Sequence, residues 1–455
     1  MTMKQLADAA HIVRGVAFAK EDKRHAPADG LIACLRTTNV QRSVEWDDLW
    51  FVPEQAAKRA DQIVRSGDIL ISTANSYELV GKVAMVGAMP YRATLGAFIS
   101  LIRPKPHVNA SYLYHQLTTL DVQSAIRSCA STTTNISNVS TKKLATIRIT
   151  LPDRAAQLAT VSYLDEQLSR LDASVAALHR VQANLKRYRA SVLKSACEGR
   201  LVPTEAELAR REGRNFETGT QLLQRILADR RVGVDGRSKY KEPSAPAAVH
   251  RSDSPEGWAQ SNVDQLAEVG TGATPKRDVR AFYEGGQIAW VTSGAVNGEY
   301  VDRASEFVTE RALAETNLSI YPPGTLLLAM YGEGKTRGRC SELRIAATTN
   351  QALAAIQAAE PVRRYLRLLL ECSYEETRKA ASGGVQPNLN LSLVRAIRVP
   401  LPPLAEQHRI GAEADRRLSL IRVAEAQVAA NVARAKRLRQ SILQAAFAHP
   451  GSAGQ

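Results

Sequence analysis

The stretch Leu164–Ala196, LDEQLSRLDASVAALHRVQANLKRYRASVLKSA, decides the fold. Its apolar residues return at alternating steps of four and three: Leu164, Leu168, Leu171, Val175, Leu178, Leu185, Val192 and Ala196, with Gln182 and Arg189 interrupting the seam. A 3.5-residue period held over about four heptads, with charges beside it, predicts a coiled coil rather than a helix buried in a globular core. The pattern is written twice. Advanced by 250 positions it gives Ala414, Leu418, Ile421, Val428, Val432, Ala435, Ile442 and Ala446, interrupted at Glu425 and Arg439. The polar residues in either seam fix register or mark a place where the pair opens to a partner, and the sequence leaves both readings open.

More than a period is shared. At the same offset Ile147–Pro152 (IRITLP) meets Ile397–Pro402 (IRVPLP), Gln157 meets Gln407, Lys186-Arg187 meets Lys436-Arg437, and Ser191, Leu193 and Ala196 meet Ser441, Leu443 and Ala446. A helix of about 40 residues at 1.5 Å rise is about 60 Å long, and with an exposed apolar stripe it is not stable alone. The two copies are therefore expected to pack on each other. The near two-fold relation of the halves favours an antiparallel pair.

The fold class expected is α+β, with two duplicated globular domains separated by two long antiparallel coiled-coil helices. The boundaries expected are residues 1–153 for the first domain, 154–198 for the first helix and 199–256 for a connecting region and linker. Residues 257–403 form the second domain, 404–448 the second helix and 449–455 a tail. In the first domain, strands are expected at 68–72, 82–86, 97–102 and 145–150, with weaker helix at 56–64 and 112–128. The connecting region carries two short amphipathic helices, then GRSKYKEPSAPAAVHRSDSPEG, whose Pro, Ala, Ser and charge content predicts a linker that does not pack. The second domain repeats the first. Gln265-Leu266-Ala267 answers Gln5-Leu6-Ala7 at offset 260, Gly324–Leu328 answers Gly67–Ile71 at offset 257, and Asn388 answers Asn138 at offset 250. A frame kept while its loops change length is what two modules reading different targets require, because loops carry recognition.

The 455 residues carry 60 Lys and Arg against 45 Asp and Glu, a net charge of +15. This balance points to a polyanionic partner, nucleic acid before others. Cys34, Cys129, Cys197, Cys340 and Cys372 are odd in number and form no CxxC, so neither a zinc site nor a disulfide framework is indicated, and a cytoplasmic location is expected. No apolar run reaches membrane-spanning length, and MTMKQLADAAHIVRG lacks a signal-peptide core. Ala329–Thr336 (AMYGEGKT) resembles the tail of a phosphate-binding loop, but Ala329 stands where the pattern needs glycine, so a nucleotide site is not expected. No methyltransferase, metalloprotease or nuclease arrangement is present in the sequence, no metal site is expected, and no catalytic residue is assigned.

Taken together and in order, the motifs resemble the DNA-specificity (S) subunit of Type I restriction–modification systems. Gly257-Trp258, Gln265–Glu268, Thr271-Gly272 through Pro275, GTLLLAMYGEGKTRGR, Thr349–Ala352, Gln386–Asn390 and LPPLAEQHRI carry the resemblance in the second half; GVAFAK, LRTTNV, SGDILIS and TTTNISNVSTKKLATIRITLP carry it in the first. The resemblance covers essentially the whole chain. It departs in lacking a Gly-Trp before the first domain and a Gly-Arg-Leu after Ala446 like that at Gly199-Arg200-Leu201. It implies a non-catalytic subunit in which each domain reads one half of a bipartite, asymmetric DNA site while the helix pair sets the spacer. It further implies partners: two methylation (M) subunits using S-adenosylmethionine, and restriction (R) subunits using ATP and Mg2+. No cofactor is implied on this chain.

On loop position and side-chain chemistry, the DNA contacts expected are Arg36, Thr38, Asn39, Asn75, Lys82 and Thr133 in the first domain. In the second they are Thr274, Lys276, Tyr331, Lys335, Arg337, Arg339 and Gln386. Ser, Thr and Asn also populate ordinary turns, which is the competing account of each loop. The alternative at the level of the whole chain is a coiled-coil DNA-organising or regulatory protein whose duplicated heads bind without sequence choice and which has no catalytic partner. The target sequence itself is not readable from loop residues.

Overall fold

The computed structural model describes residues 3–133, 136–232, 241–246, 254–331, 336–374 and 389–448. Two heptad stretches form single helices, Arg154–Cys197 and Leu404–Ala448, close to the expected bounds. The chain divides into two compact units, residues 1–180 with 428–455, and residues 181–427.

In the first unit a four-stranded antiparallel sheet runs in the order Ala10–Arg14, Ile99–Pro104, Ile69–Ser72, Val83–Met85. A three-stranded sheet places Leu31–Leu35 between Trp50–Pro53 and Ala93–Leu95, the latter pair parallel. Ile69, Leu70 and Ile71 are all fully buried, as befits a strand flanked on both sides and covered on both faces. The strand Met3–Gln5 pairs with Arg148–Thr150, the last strand before the long helix. Helix is absent where residues 56–64 predicted it: only two 3-10 turns form, Glu54–Ala56 and Ala60–Gln62. The helix expected over 112–128 is two helices, Ala110–Leu117 and Leu120–Ser128, broken where Thr118 and Thr119 turn their hydroxyls onto the carbonyls of His115 and Gln116.

The second unit has the same plan. A five-stranded sheet runs Ala267–Thr271, Leu353–Ala358, Leu326–Ala329, Cys340–Leu343, Tyr300–Val301, beside a three-stranded sheet centred on Ile288–Val291. Ala259–Asn262 pairs with Arg398–Leu401 before the second long helix. The connecting region supplies the two expected helices, Glu205–Glu212 and Gly219–Val232. One part of the linker does pack: the Ser244 amide donates to the Asp264 carboxylate at 2.9 Å and the Asn262 side chain donates to the Ser244 carbonyl at 2.8 Å.

The structure corrects the alignment of the two halves. Gln5 pairs with Arg148 as Asn262 pairs with Arg398, so the first strand repeats at offset 257 and the shared Gln-Leu-Ala at offset 260 is a coincidence. Offset 257 holds through Gly15 and Gly272, where an added Cβ would lie 2.1 Å and 1.6 Å from the carbonyl oxygens of Gly96 and Thr349. It still holds at the left-handed Gly81 (φ 86°) and Gly338 (φ 82°). Further on, Tyr112 and Tyr365 donate to the carbonyls of Thr150 and Pro400 at 3.0 and 2.8 Å, and Gln157 and Gln407 donate to Pro152 and Pro402 at 2.9 and 2.8 Å. Both glutamines are buried at the root of their long helix and tie its first turn to the proline before it, and Gln157 also accepts from the Asn109 amide at 2.8 Å, which joins that helix to its domain.

Within each unit the two long helices meet start against end, which makes them antiparallel. In the first unit Leu164 and Leu168 pack with Leu443 and Ala446. In the second, Val192, Leu193 and Ala196 share a core with Ile410, Ala414, Leu418 and Ile421. The expected seam residues Leu164, Leu168, Val192, Ala196, Leu418, Ile421 and Val428 are buried, while Leu171, Val175, Leu178, Leu185, Val432 and Ile442 are half-buried. At the end of the second helix burial centres on Leu443 instead of Ile442, the slow drift expected when a 3.6-residue helix carries a 3.5-residue pattern. The arginines that interrupt the two seams occupy equivalent places and both find acids on the facing helix: Arg189 lies 3.9 Å from Glu425, and Arg439 lies 2.9 Å from Asp172. Gln182 is exposed.

Two outcomes are expected. Gly15→Ala and Gly272→Ala each force backbone apart and lower stability by about 1–3 kcal/mol or more in denaturant titration. The half-exposed Arg189–Glu425 pair sets register more than strength, so R189E lowers the melting transition by the equivalent of about 1 kcal/mol and the R189E/E425R exchange restores it.

Candidate nucleic-acid interface

Sheet register gathers the polar loops of each domain at one rim. In the first unit Ser72 lies opposite Ile99, Ile71 opposite Val83, and Arg14 opposite Ser100. The end of one strand therefore stands beside the starts of two others and the end of a third. The Gly96 amide donates to the Leu35 carbonyl at 2.9 Å, which brings the loop after Leu35 to the same edge. Arg36–Asn39, Thr73–Asn75, Lys82 and Gly96–Phe98 are thus neighbours although they are far apart in sequence. The small sheet Ser131–Thr132, Ser137–Asn138, Ala74–Asn75 adds the turn holding Thr133.

The side chains here divide into braces and exposed groups. Arg36 pairs with Asp48 at 2.6 Å and lies over the Trp50 ring at 4.3 Å. Asn39, expected to contact DNA, is buried and spends both ends of its amide on its own loop, accepting from the Arg36 amide at 2.8 Å and donating to the Asp47 carbonyl at 3.0 Å. It shapes the loop and presents nothing outward. Thr38 is exposed, and its carbonyl receives the Gln41 side chain at 2.9 Å. Lys82 donates to the Gln41 side chain and so joins two loops of the rim. Asn75 accepts from the Ser76 amide at 2.9 Å, and the exposed Thr133 hydroxyl donates to the Ile136 carbonyl at 3.1 Å. Sequence reasoning missed Lys23, whose ammonium lies 3.5 Å from the Trp50 ring centre. A cation on an aromatic face is a tertiary arrangement with no signature at the spacing of 23 and 50.

The second unit builds the same rim. Thr271 lies opposite Ala354, Ala329 opposite Leu353 and Leu328 opposite Cys340, while the Asn350 amide donates to Val291 at 3.1 Å. Thr274 is exposed and donates to Gln351 at 2.5 Å; Lys276 is exposed; Tyr331 is 36% exposed. Arg337 is half-buried, and Arg339 donates to the Asn297 carbonyl at 3.2 Å. Lys335 and Gln386 lie outside the described residues, as does half of the loop that resembles a phosphate-binding loop. Arg277, not singled out from sequence, lies 4.9 Å from the Tyr283 and Trp290 rings and 2.5 Å from Glu306.

Both domains are braced to a long helix by ion pairs. Arg42 of the first domain meets Asp172 at 2.5 Å, the acid that also receives Arg439. In the second unit Arg367 is nearly buried and bonds Glu299 at 2.8 Å, while Arg422 of the second long helix reaches the same carboxylate. Burial alone would raise the Glu299 carboxyl, but these two guanidinium groups hold it below the usual carboxylate range. Among the described residues no group of His, Cys, Asp and Glu could hold a metal ion, and no helix is long and apolar enough to cross a membrane.

Comparison with known proteins places this architecture. The family model for the Type I restriction modification DNA specificity domain matches residues 1–183 and 255–415. The chain is 29% identical over 192 residues to the StySPI specificity subunit of Salmonella potsdam, which covers 42% of this chain and 41% of that one. It is 26% identical over 232 residues to the EcoKI specificity subunit of Escherichia coli K12, covering 50% and 48%. The chain thus spans less than half the length of either relative. A solved chain from a study of complex assembly and conformational transition of the type I R-M system shares the fold with a TM-score of 0.62 at 16% identity, covering 98% of this chain and 97% of that one. The duplicated domain plan, the antiparallel helix pair and the family match over both domains lead to one conclusion: this chain belongs to the Type I restriction modification DNA specificity family.

Proposed function

We propose that this chain is the non-catalytic DNA sequence-specificity subunit of a Type I restriction–modification complex, working in the cytoplasm. The observation that carries the reading is the repeated rim: each domain uses strand register to bring polar and basic loops to one edge, and each is braced to a long helix by an ion pair, Arg42 with Asp172 in the first and Glu299 with Arg422 in the second. Loop residues at such an edge suit base edges and phosphates, and the net charge of +15 supplies the electrostatic attraction. Two readers that enter successive major grooves must stand about one helical turn apart, near 34 Å, and a stiff helix pair can impose such a spacing. In this reading the first domain recognises one half of a bipartite asymmetric site, the second domain the other half, and the helices measure the spacer between them.

The contacts favoured on accessibility are Thr38 and Thr133, with Thr274, Lys276 and Tyr331 in the second domain; the half-buried Asn75, Lys82, Arg337 and Arg339 stay in the set on rim position and chemistry, and Arg36 and Asn39 brace the loop. Lys335 and Gln386 stay in the set on chemistry alone. Methyl transfer belongs to two methylation subunits with S-adenosylmethionine, and cleavage to restriction subunits with ATP and Mg2+. Exposed apolar residues on the second long helix, Leu420 at 60% and Val423 at 67%, suit a docking partner there.

Adenine-methylation mapping of genomic DNA from cells with and without this chain, with its methylation subunits present, tests the proposal. The expected result is a bipartite asymmetric motif that vanishes with the chain; an unchanged methylation pattern with active partners would return a coiled-coil DNA-organising role. For single residues, Lys276→Ala weakens binding to all duplexes alike and reduces the salt slope by about one, the mark of a phosphate contact, read by titration at several salt concentrations.

A further inference from the structure

The first-domain rim carries a group that the polar reading does not use. Phe98 is 64% exposed, the most exposed phenylalanine among the described residues. Its backbone is held fast. The Phe98 carbonyl accepts from the Thr73 amide at 2.9 Å, the Ala74 amide at 3.2 Å and the Thr73 hydroxyl at 3.1 Å, and the Gly96–Ile99 turn around it closes at 3.1 Å. Ile99, the next residue, is fully buried. A large apolar side chain kept in water on an anchored turn gains nothing for folding, because the adjacent strand is packed without it.

Its surroundings say what it meets. Thr73 and Ala74, which grip its carbonyl, lead directly into Asn75, and the strand containing Asn75 pairs with Ser137 of the hairpin that holds Thr133. Exposed Tyr77 (54%) and Ile136 (49%) follow and precede those same paired residues. The aromatic ring therefore stands among hydrogen-bonding side chains at the edge assigned to DNA. The second domain lacks it. There the Met330 amide donates to the Ala352 carbonyl at 2.8 Å and the Leu353 amide closes on Asn350, the same bonding pattern with alanine in place of Phe98.

We infer that Phe98 is an apolar base contact of the first domain, a specificity-determining residue that buries its ring against bases of the first half-site. The inference rests on the proposed DNA-reading role. Phenylalanine can do this by packing on a thymine methyl in the major groove or by entering a base step and unstacking it, and both remove the ring from water. A contact of this kind carries no charge, so it adds sequence preference without adding salt dependence.

The test uses the full chain assembled with its methylation subunits, wild type and the variants F98A and F98W, and selection from a random duplex pool. For F98A the preference is expected to relax at one position or one step of a single half-site, with affinity for the selected duplex falling on the order of tenfold and the salt slope unchanged. F98W keeps the preference, and the other half-site is unaltered in both, which also shows that the variants fold. Replacing thymine by uracil in the selected duplex reproduces the F98A loss if the ring packs on the methyl; brightening of 2-aminopurine in the half-site, absent in F98A, marks insertion. Unchanged half-sites and affinity in F98A would overturn the inference, as would equal weakening on all duplexes or loss of the methylation subunits with preference intact. A wild-type complex that selects no sequence would overturn the DNA-reading role itself.

Discussion

The structure depends on a seam that neither long helix can satisfy alone. Each is a helix of more than 40 residues with an apolar stripe along most of it, and the other copy of the same pattern matches it in length and period. Burial of Leu164, Leu168, Leu443 and Ala446 in one unit, and of Val192, Ala196, Leu418 and Ile421 in the other, removes that surface from water. The arginines set into the seams meet acids across it only in the observed direction and register. Polar seam residues thus select one alignment of two helices that a purely apolar stripe would leave free to slide.

Each domain is then fixed to the seam by the same small set of contacts. A buried glutamine, Gln157 or Gln407, satisfies the carbonyl of the proline that follows the last strand, and a buried tyrosine, Tyr112 or Tyr365, satisfies that strand itself. Pro152 and Pro402 stand just past the last strand, where proline has no amide to extend the ladder, and the long helix starts two residues further on. Because these contacts repeat, each domain leaves its helix in the same way, and the recognition loops inherit their placement from a rigid root. The shrinking offset, 257 at the first strands and 250 at the last, records loops that changed length while strands, glycines and anchors were held.

The rim makes the same point for function. Residues as distant as Thr38, Asn75, Lys82 and Thr133 come together because antiparallel register places strand ends and strand starts side by side. Their chemistry was visible in the chain, but whether each faces outward was not. Asn39 and Thr38 are adjacent and chemically alike, yet one closes its own loop and the other is exposed.

The sequence by itself determined the two long helices, their heptad seam, the duplication and the β-rich domains, because these rest on periodicity and on local punctuation that short stretches carry in full. It also pointed to DNA through charge and ordered motifs. Tertiary structure decided the rest. The apparent helix at 56–64 gave way to 3-10 turns, and the Gln-Leu-Ala match gave way to strand register. Part of the linker was pinned by Asp264 and Asn262, partners more than 15 residues away. Cation–aromatic pairs such as Lys23 with Trp50, and the exposed ring of Phe98, have no local signal at all. Burial and partner choice are set by which strands lie side by side, and that is fixed only once the whole sheet has formed.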